Sequence, residues 1–493
     1  MSVSDAPLPE GPLAVLIVGS GFSGLAMGIR CRQAGIAPFA IVEKGDGIGG
    51  TWHENTYPGA ACDIPSHLYS LSYVPKHDWS RLYPQQPEIA AYLRDTARDQ
   101  GLLPHLHLRT AVTAATWDEA EALWRVETSR GPVRARAIVS GMGGLHHPAL
   151  PDIPGRESFA GPAFHSAGWD HARDLRGKRI GVIGTGASAI QFVPEIAPGA
   201  AHLTLFQRTP AWIMPKHDRP ITERAKRSYR GLPLARRLFR LWLFWIHEIR
   251  AFLGFTKVSR LTGQAEGLAR RHLAKAVPDK DLRAKLTPRY RLGCKRVLIS
   301  DDFYPTLMRP NVSLETGRIA RITPSGVVLE DGATRDLDVL VYATGFDLTG
   351  SFRTLHVVGR GGLTLRQAWR DGMGAFQGIS VSGFPNLFLL MGPNTGLGHN
   401  SMILMIEAQV EHALSCLRAM RNTGVRVFDV KPEAQARFLA DVQARLADSI
   451  WQTGGCTSWY QDDKGRNTAL WPGSVLAYRR GARRARLSDY RVS

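Results

Sequence analysis

The stretch LAVLIVGSGFSGL, Leu13 to Leu25, decides the fold: an apolar run that ends abruptly in glycines at Gly19, Gly21 and Gly24. The run is too short to span a bilayer and has the length of a buried strand. Leu25 to Gln33 then reads as a helix, and Phe39 to Val42 as a second strand closed by Glu43. This is a strand–turn–helix–strand unit with G-x-G-x-x-G at its turn and an acid about 20 positions on. Glycines there let the backbone approach a pyrophosphate, whose charge the amides of the following helix N-terminus stabilise. Glu43 can accept a hydrogen bond from a ribose hydroxyl.

A second unit starts at Gly177. The strand Arg179–Ile183 leads into Gly184-Thr185-Gly186-Ala187-Ser188-Ala189, a helix through Gln191 to Ile196, and a strand Leu203–Phe206. Ala189 takes the third glycine's place, which the motif permits. The second strand ends in Gln207-Arg208-Thr209 with no acid. An arginine and a hydroxyl at that point suit a 2′-phosphate, so NADPH is favoured over NADH. The first site, with its glutamate, suits FAD. Together the two units predict an α/β flavoprotein with two Rossmann-like domains.

The apolar segments Val327–Asp331 and Leu337–Val341 read as strands, and the second ends in Ala343-Thr344-Gly345-Phe346. That ending returns the chain to its first domain. The expected order is an FAD domain over 1–155, an NADPH domain over 156–215, a helical insertion over 216–291, the rest of the NADPH domain over 292–345, and the rest of the FAD domain over 346–493.

The formal charge of +19 invites a nucleic-acid reading, but its distribution opposes one. Between Lys216 and Arg296 there are 22 Lys/Arg against 6 Asp/Glu, in a helical segment without a nucleic-acid-binding motif. In the stretch Leu232–Phe255, Leu238, Trp242, Trp245, Ile249 and Phe252 share one face. Arg236, Arg240, His247 and Arg250 lie roughly opposite, with Leu243 and Phe244 among them. A helix apolar nearly all round is expected to be buried or lid-like, with contact to a membrane surface as the alternative. Five cysteines without C-x-x-C spacing favour reduced thiols over a disulfide framework, and argue against a flavin disulfide reductase. The N-terminus has no signal-peptide pattern, and the expected location is cytoplasmic.

Two longer patterns narrow the reading. FAGPAFHSAGWD (Phe159–Asp170) has the form F-x-G-x-x-x-H-x-x-x-W-D, and GGTWHENTYPGAACD (Gly49–Asp63) the form G-G-x-W-x-x-x-x-[FY]-P-G-x-x-x-D. With both nucleotide turns in order, the chain resembles the Baeyer–Villiger monooxygenases from about Leu13 to Phe346. These flavin enzymes insert an oxygen atom beside a ketone carbonyl. The resemblance implies FAD and NADPH as cofactors, O2 and a ketone as substrates, and an ester or lactone as product. Oxidation of sulfides or amines is the alternative, though related enzymes with that activity differ at the position of Trp169; a non-enzymatic, basic membrane-associated protein is the more distant one.

The resemblance also implies roles. Phe159, Gly161, His165, Trp169 and Asp170 would form a hinge between the nucleotide domains, with His165 structural rather than a base. In RLGCKRVLISDDFY, Arg296 would stabilise a C4a-peroxyflavin, Asp63 would hold and tune Arg296, and Lys295 would contact NADP. FAD would be held by Gly19, Gly21, Phe22, Ser23, Gly24, Glu43, Gly50, Thr51, Trp52, Asp63, Tyr69, Val112 and Met402. NADP would be held by Gly184, Thr185, Gly186, Ala187, Ser188, Ala189, Gln191, Arg208, Thr209, Lys295 and Trp459. The element Phe384–Val410 is similar to a subgroup acting on aliphatic or alkyl-aryl ketones, and the greasy helix would suit long-chain ones.

Overall fold

Two parallel sheets carry the fold in a computed structural model that describes residues 7–255, 260–347, 350 and 355–493. The first has the order Leu387–Leu389, Ile138–Ser140, Val15–Val18, Phe39–Val42, Leu106–His107. The apolar run of the opening motif is thus an inner strand, buried along nearly its whole length, as a strand with parallel neighbours on both sides requires. The helix Phe22–Gln33 leaves it through the glycine turn. A Cβ on Gly24 would stand 1.8 Å from the carbonyl oxygen of Gly19, so only glycine allows the helix to start this close to the strand.

The second sheet has the order Val312–Glu315, His202–Phe206, Arg179–Ile183, Val339–Tyr342, Ala163–His165, again all parallel. Every strand of it lies between Ser140 and Leu387 in the chain, so the chain completes the second sheet before it closes the first. The two crossing segments run side by side. Pro148 bridges Phe346, Ala149 N donates to Gly345 O at 2.9 Å, and Asp347 N donates to His147 O at 2.9 Å. Each sheet has a buried apolar cluster of its own. The helices Glu223–Gly231, Pro233–Phe255, Arg260–Ala276 and Lys280–Leu286 fill the interval between the second and outermost strands of the second sheet.

One of these helices departs from expectation. Among the described side chains of Pro233–Phe255, Leu243, Phe244 and Glu248 are buried, whereas Leu238, Trp242, Trp245 and Ile249 are exposed. Arg240 points inward, its Nη1 donating to the backbone carbonyl of His67 and to Ser70 Oγ. The side chains of Arg250 and Phe252 lie outside the described residues. Both faces of this helix are apolar, so periodicity finds the stripe without telling which side packs. The buried-or-lid expectation fails for the aromatic stripe, which faces solvent.

A histidine ties the C-terminal half of the first core together. His412 Nδ1 lies 2.7 Å from Ala482 O and Nε2 2.7 Å from the Tyr490 hydroxyl, so the neutral ring donates at one nitrogen and accepts at the other. Burial pulls its pKa from 6.5 down to about 4. The unfolded chain therefore binds this proton more readily than the native state between those two values. Stability falls as the pH drops through that window, by up to about 3 kcal/mol at 1.4 kcal/mol per unit. Thermal melts between neutral pH and pH 4 are expected to show this decline, with a shallower slope for His412→Gln. A melting temperature independent of pH across that window would refute the assignment.

Candidate functional site

At the first turn, the Glu43 carboxylate is held by three donors: Ser20 N at 2.8 Å, Ser20 Oγ at 2.9 Å and Gly45 N at 2.8 Å. Both Ser20 donors meet Oε2, so the carboxylate fixes the loop while Oε1, with only Gly45 N on it, keeps a lone pair for a further donor. Val112 sits in a smaller sheet opposite Thr128, two residues past Thr110, whose amide donates to Glu43 O at 2.7 Å. Gly21 faces the Gly49-Gly50-Thr51 turn, and its added Cβ would meet Gly50 Cα at 3.7 Å. Next to these backbones stands an aromatic group. Trp52 Nε1 donates to the Tyr69 hydroxyl at 3.1 Å, and the Phe22 and Tyr69 rings are 5.2 Å apart. Burial raises the Tyr69 pKa far above the usual phenol range, so it remains a donor. Met402, half-buried at the start of the helix Met402–Thr423, accepts at Sδ from Leu397 N at 3.3 Å.

The second turn presents an open surface. Gly184 has φ +110° and is pressed against Ala343 O, 2.4 Å from where a Cβ would stand. At Gly186 nothing lies within 4 Å of an added Cβ, and Ala187 beside it is exposed. Ser188 then leads into the helix Ala189–Ile196. Thr185 Oγ1 donates to Thr209 O at 3.4 Å. The Lys295 pKa is lowered by burial and by the charge of Arg208, so these two cations share one neighbourhood. Lys295 Nζ also lies 5.3 Å from the centre of the Tyr290 ring. A bare turn next to two unneutralised cations fits the diphosphate and 2′-phosphate of a dinucleotide.

Gln191 also bridges to the first long pattern. Its Nε2 donates to Ala61 O at 2.9 Å and its Oε1 accepts from the Tyr57 hydroxyl at 3.0 Å. It thereby fastens the second helix to the Gly49–Asp63 stretch.

The Asp63–Arg296 pairing that the resemblance implies is present. Arg296 Nη2 and Nε lie 2.6 Å and 3.0 Å from the same oxygen, Asp63 Oδ2. The pair joins the loop before Leu298–Ile299 to the Gly49–Asp63 stretch, and Arg296 keeps 34% side-chain exposure. The Asp63 carboxylate drives the arginine pKa up, against the cost of desolvation, so the guanidinium stays charged. Tyr460 is a residue the sequence reading passed over. It is buried, it interacts electrostatically with both Arg296 and Asp63, and burial pushes its phenol up to about 12. Its neighbour Trp459, the expected contact, is 54% exposed with its ring 4.3 Å from that of Tyr460.

The cysteines require a correction. Cys294, beside Lys295, forms a disulfide with Cys456, and the Cα atoms are 6.1 Å apart. Cys31, Cys62 and Cys416 are free and buried. A partner 162 residues away leaves no spacing signal in sequence. The link ties the Arg296 loop to the segment that carries Trp459 and Tyr460.

The Phe159–Asp170 stretch forms the edge strand Ala163–His165 of the second sheet and the turn after it. Gly161 leaves no room for a side chain, since a Cβ would be 2.4 Å from Asp338 O. Phe159 packs on the Leu337/Leu340 cluster. Trp169 packs 5.1 Å from Phe192, and Tyr57 meets the same ring at 6.0 Å, so both long patterns converge on the second helix. His165 Nδ1 accepts from Ala167 N at 3.1 Å, its ring lies 5.7 Å from Phe346, and burial lowers its pKa. Asp170 pairs at the surface with Arg173. A cleft of about 360 Å³ opens between the two patterns, lined by Asp46, His53, Glu54, His146, Ala167 and Gly168 among others.

Comparison with known proteins follows the same lines. A family profile described as pyridine nucleotide-disulphide oxidoreductase matches residues 16–224. A Baeyer–Villiger monooxygenase of Streptomyces coelicolor is 45% identical, over 97% of this chain and 92% of that protein. Another, from Pseudomonas aeruginosa, is 44% identical over all of this chain and 94% of its own. Among solved structures, an oxidized steroid monooxygenase bound to NADP is 31% identical at a TM-score of 0.86, covering 96% of this chain and 97% of that one.

Proposed function

The chain belongs to the Baeyer–Villiger monooxygenase family, and from that premise we propose that its site binds FAD and NADPH and converts ketones, with O2, into esters or lactones. The observation that carries this reading is the Arg296–Asp63 pair, a guanidinium kept ionised where the Gly49–Asp63 stretch meets the loop that carries Lys295. We assign residues 1–155 and 346–493 to the FAD domain, 156–215 and 292–345 to the NADPH domain, and 216–291 to a helical insertion.

The bound flavin supplies the hydride acceptor and the activation of O2. The protein's part is to bind, orient and exclude water. Gly19 to Gly24, Gly50 and Thr51 offer backbone to one diphosphate, and Glu43 accepts from its ribose. Gly184 to Ala189 serve the other diphosphate, with Arg208, Thr209 and Lys295 at the 2′-phosphate. Arg296 supplies a fixed positive charge where negative charge develops on oxygen, and a preorganised charge in a dry site acts most strongly there. Asp63 holds it through the Nε–Nη2 edge, which leaves Nη1 to face a ligand. Trp52, Tyr69 and Tyr460 shield the region. Net, ketone, NADPH, a proton and O2 give ester, NADP+ and water.

The aromatic stripe of Pro233–Phe255 faces solvent, so it offers no wall for a long alkyl chain. We therefore propose ketones as the class and assign no chain length. The test is NADPH oxidation by the purified yellow protein with linear, cyclic and aryl ketones and a thioether, with products identified by mass spectrometry. Ester or lactone formation is expected. Sulfoxide without ester would overturn the reading.

Arg208→Ala probes the cofactor assignment. It removes one of two cations at the 2′-phosphate and is expected to raise KM for NADPH by about tenfold. KM for NADH should hardly move. Equal losses with both nucleotides would place Arg208 elsewhere.

A further inference from the structure

The helix Pro233–Phe255 is seated by one side only. Leu243 and Phe244 pack inward, Arg240 is tied to the His67–Ser70 turn, and the buried Glu248 accepts from Asn400 Nδ2 and Leu476 N. On the opposite side Leu234, Leu238, Leu241, Trp242, Trp245 and Ile249 follow helical spacing and are between 43% and 66% exposed. They form one continuous stripe about 100° wide, the width at which a surface helix normally meets a core. A stripe of this kind on a soluble face marks a contact surface.

Charge identifies the occupant. The segment Lys216–Arg296 carries 22 of the Lys/Arg and only 6 Asp/Glu, and Arg224, Arg227, Arg230 and Arg237 are exposed on this helix and the one before it. A second copy docking isologously would set this basic segment against itself. A nucleic acid would answer the arginines and leave the leucines and tryptophans in water. An anionic bilayer satisfies both: the apolar side chains enter the acyl boundary, indoles favour the interface, and headgroup phosphates meet the guanidinium groups. Among the described residues no helix is long and apolar enough to cross a membrane, so the helix lies in the interface plane.

We propose that the exposed face of Pro233–Phe255, with its flanking arginines, docks the enzyme on the surface of an anionic phospholipid bilayer. The proposal stands on this surface alone and does not depend on which ketone is oxidised.

The test is co-sedimentation of the FAD-loaded protein with vesicles of phosphatidylcholine, and of phosphatidylcholine mixed with phosphatidylglycerol. The protein is expected to sediment with the anionic vesicles, and to bind about tenfold more weakly at high salt and to the neutral ones. Trp242→Asp/Trp245→Asp should abolish binding, with the flavin spectrum and ketone turnover in vesicle-free buffer unchanged. Arg230→Gln/Arg237→Gln, which leaves the stripe intact, should weaken binding about tenfold. Wild-type protein that stays in the supernatant with anionic vesicles overturns the proposal. So does a wild-type dimer in analytical ultracentrifugation that Trp242→Asp/Trp245→Asp converts to monomer, which would make the stripe a subunit interface.

Discussion

Arg296→Ala is expected to lower the rate of ester formation by roughly 10²–10³-fold, the usual cost of removing a preorganised electrostatic group. Flavin reduction by NADPH should continue at close to the wild-type rate, because the nucleotide turns and the Arg208/Lys295 pair are untouched. Arginine is suited to the position because Asp63 keeps it charged and fixes its plane through two contacts to one oxygen. Arg296→Lys restores the charge without that edge-on pairing, and should recover little. Anaerobic stopped-flow reduction and aerobic product analysis separate the two half-reactions. If both fall together, Arg296 positions a cofactor instead; if ester formation persists, the assignment is wrong.

The two glycine turns give a contrasting pair of outcomes. Gly24→Ala places a methyl 1.8 Å from the Gly19 carbonyl oxygen, backbone against backbone, where neither partner can yield. The expected result is a colourless or insoluble protein, since helix and strand must separate and the FAD turn opens. Gly186→Val meets open space, so the fold and the yellow colour should survive. The added side chain occupies the surface assigned to the NADPH diphosphate, and KM for NADPH should rise about tenfold or more. Absorption spectra, thermal melts and NADPH titration check both variants. A stable, FAD-loaded Gly24→Ala protein would contradict the packing. An unchanged KM in Gly186→Val would move the diphosphate off this turn.

The strands and turns could be read from sequence because their signals are local. The strand–glycine–helix grammar at Val15–Gln33 and Arg179–Ile196 is written in consecutive residues. The Asp63–Arg296 contact spans 233 positions and came from resemblance, which no pattern within this chain could replace. Trp459 came from the resemblance, whereas nothing local marks its neighbour Tyr460, which is buried beside Arg296 and Asp63. Gln191, a cofactor contact by resemblance, has a structural task that no local pattern announces, since its amide also joins Tyr57 and Ala61. Orientation was the hardest property to read. In Pro233–Phe255 the buried Leu243/Phe244 and the exposed Trp242/Trp245 alternate along one run, and composition weighs them equally.

The paired crossings at Pro148/Phe346 have a mechanical consequence. Two segments hydrogen-bonded side by side resist stretching and sliding, since either would break Ala149–Gly345 and Asp347–His147 together. Twisting about their shared long axis leaves those bonds intact. A joint of this kind is expected to yield in torsion before it yields in length. Arg296–Asp63 and the Gln191 contacts join the Gly49–Asp63 stretch to the nested unit and would oppose such a twist.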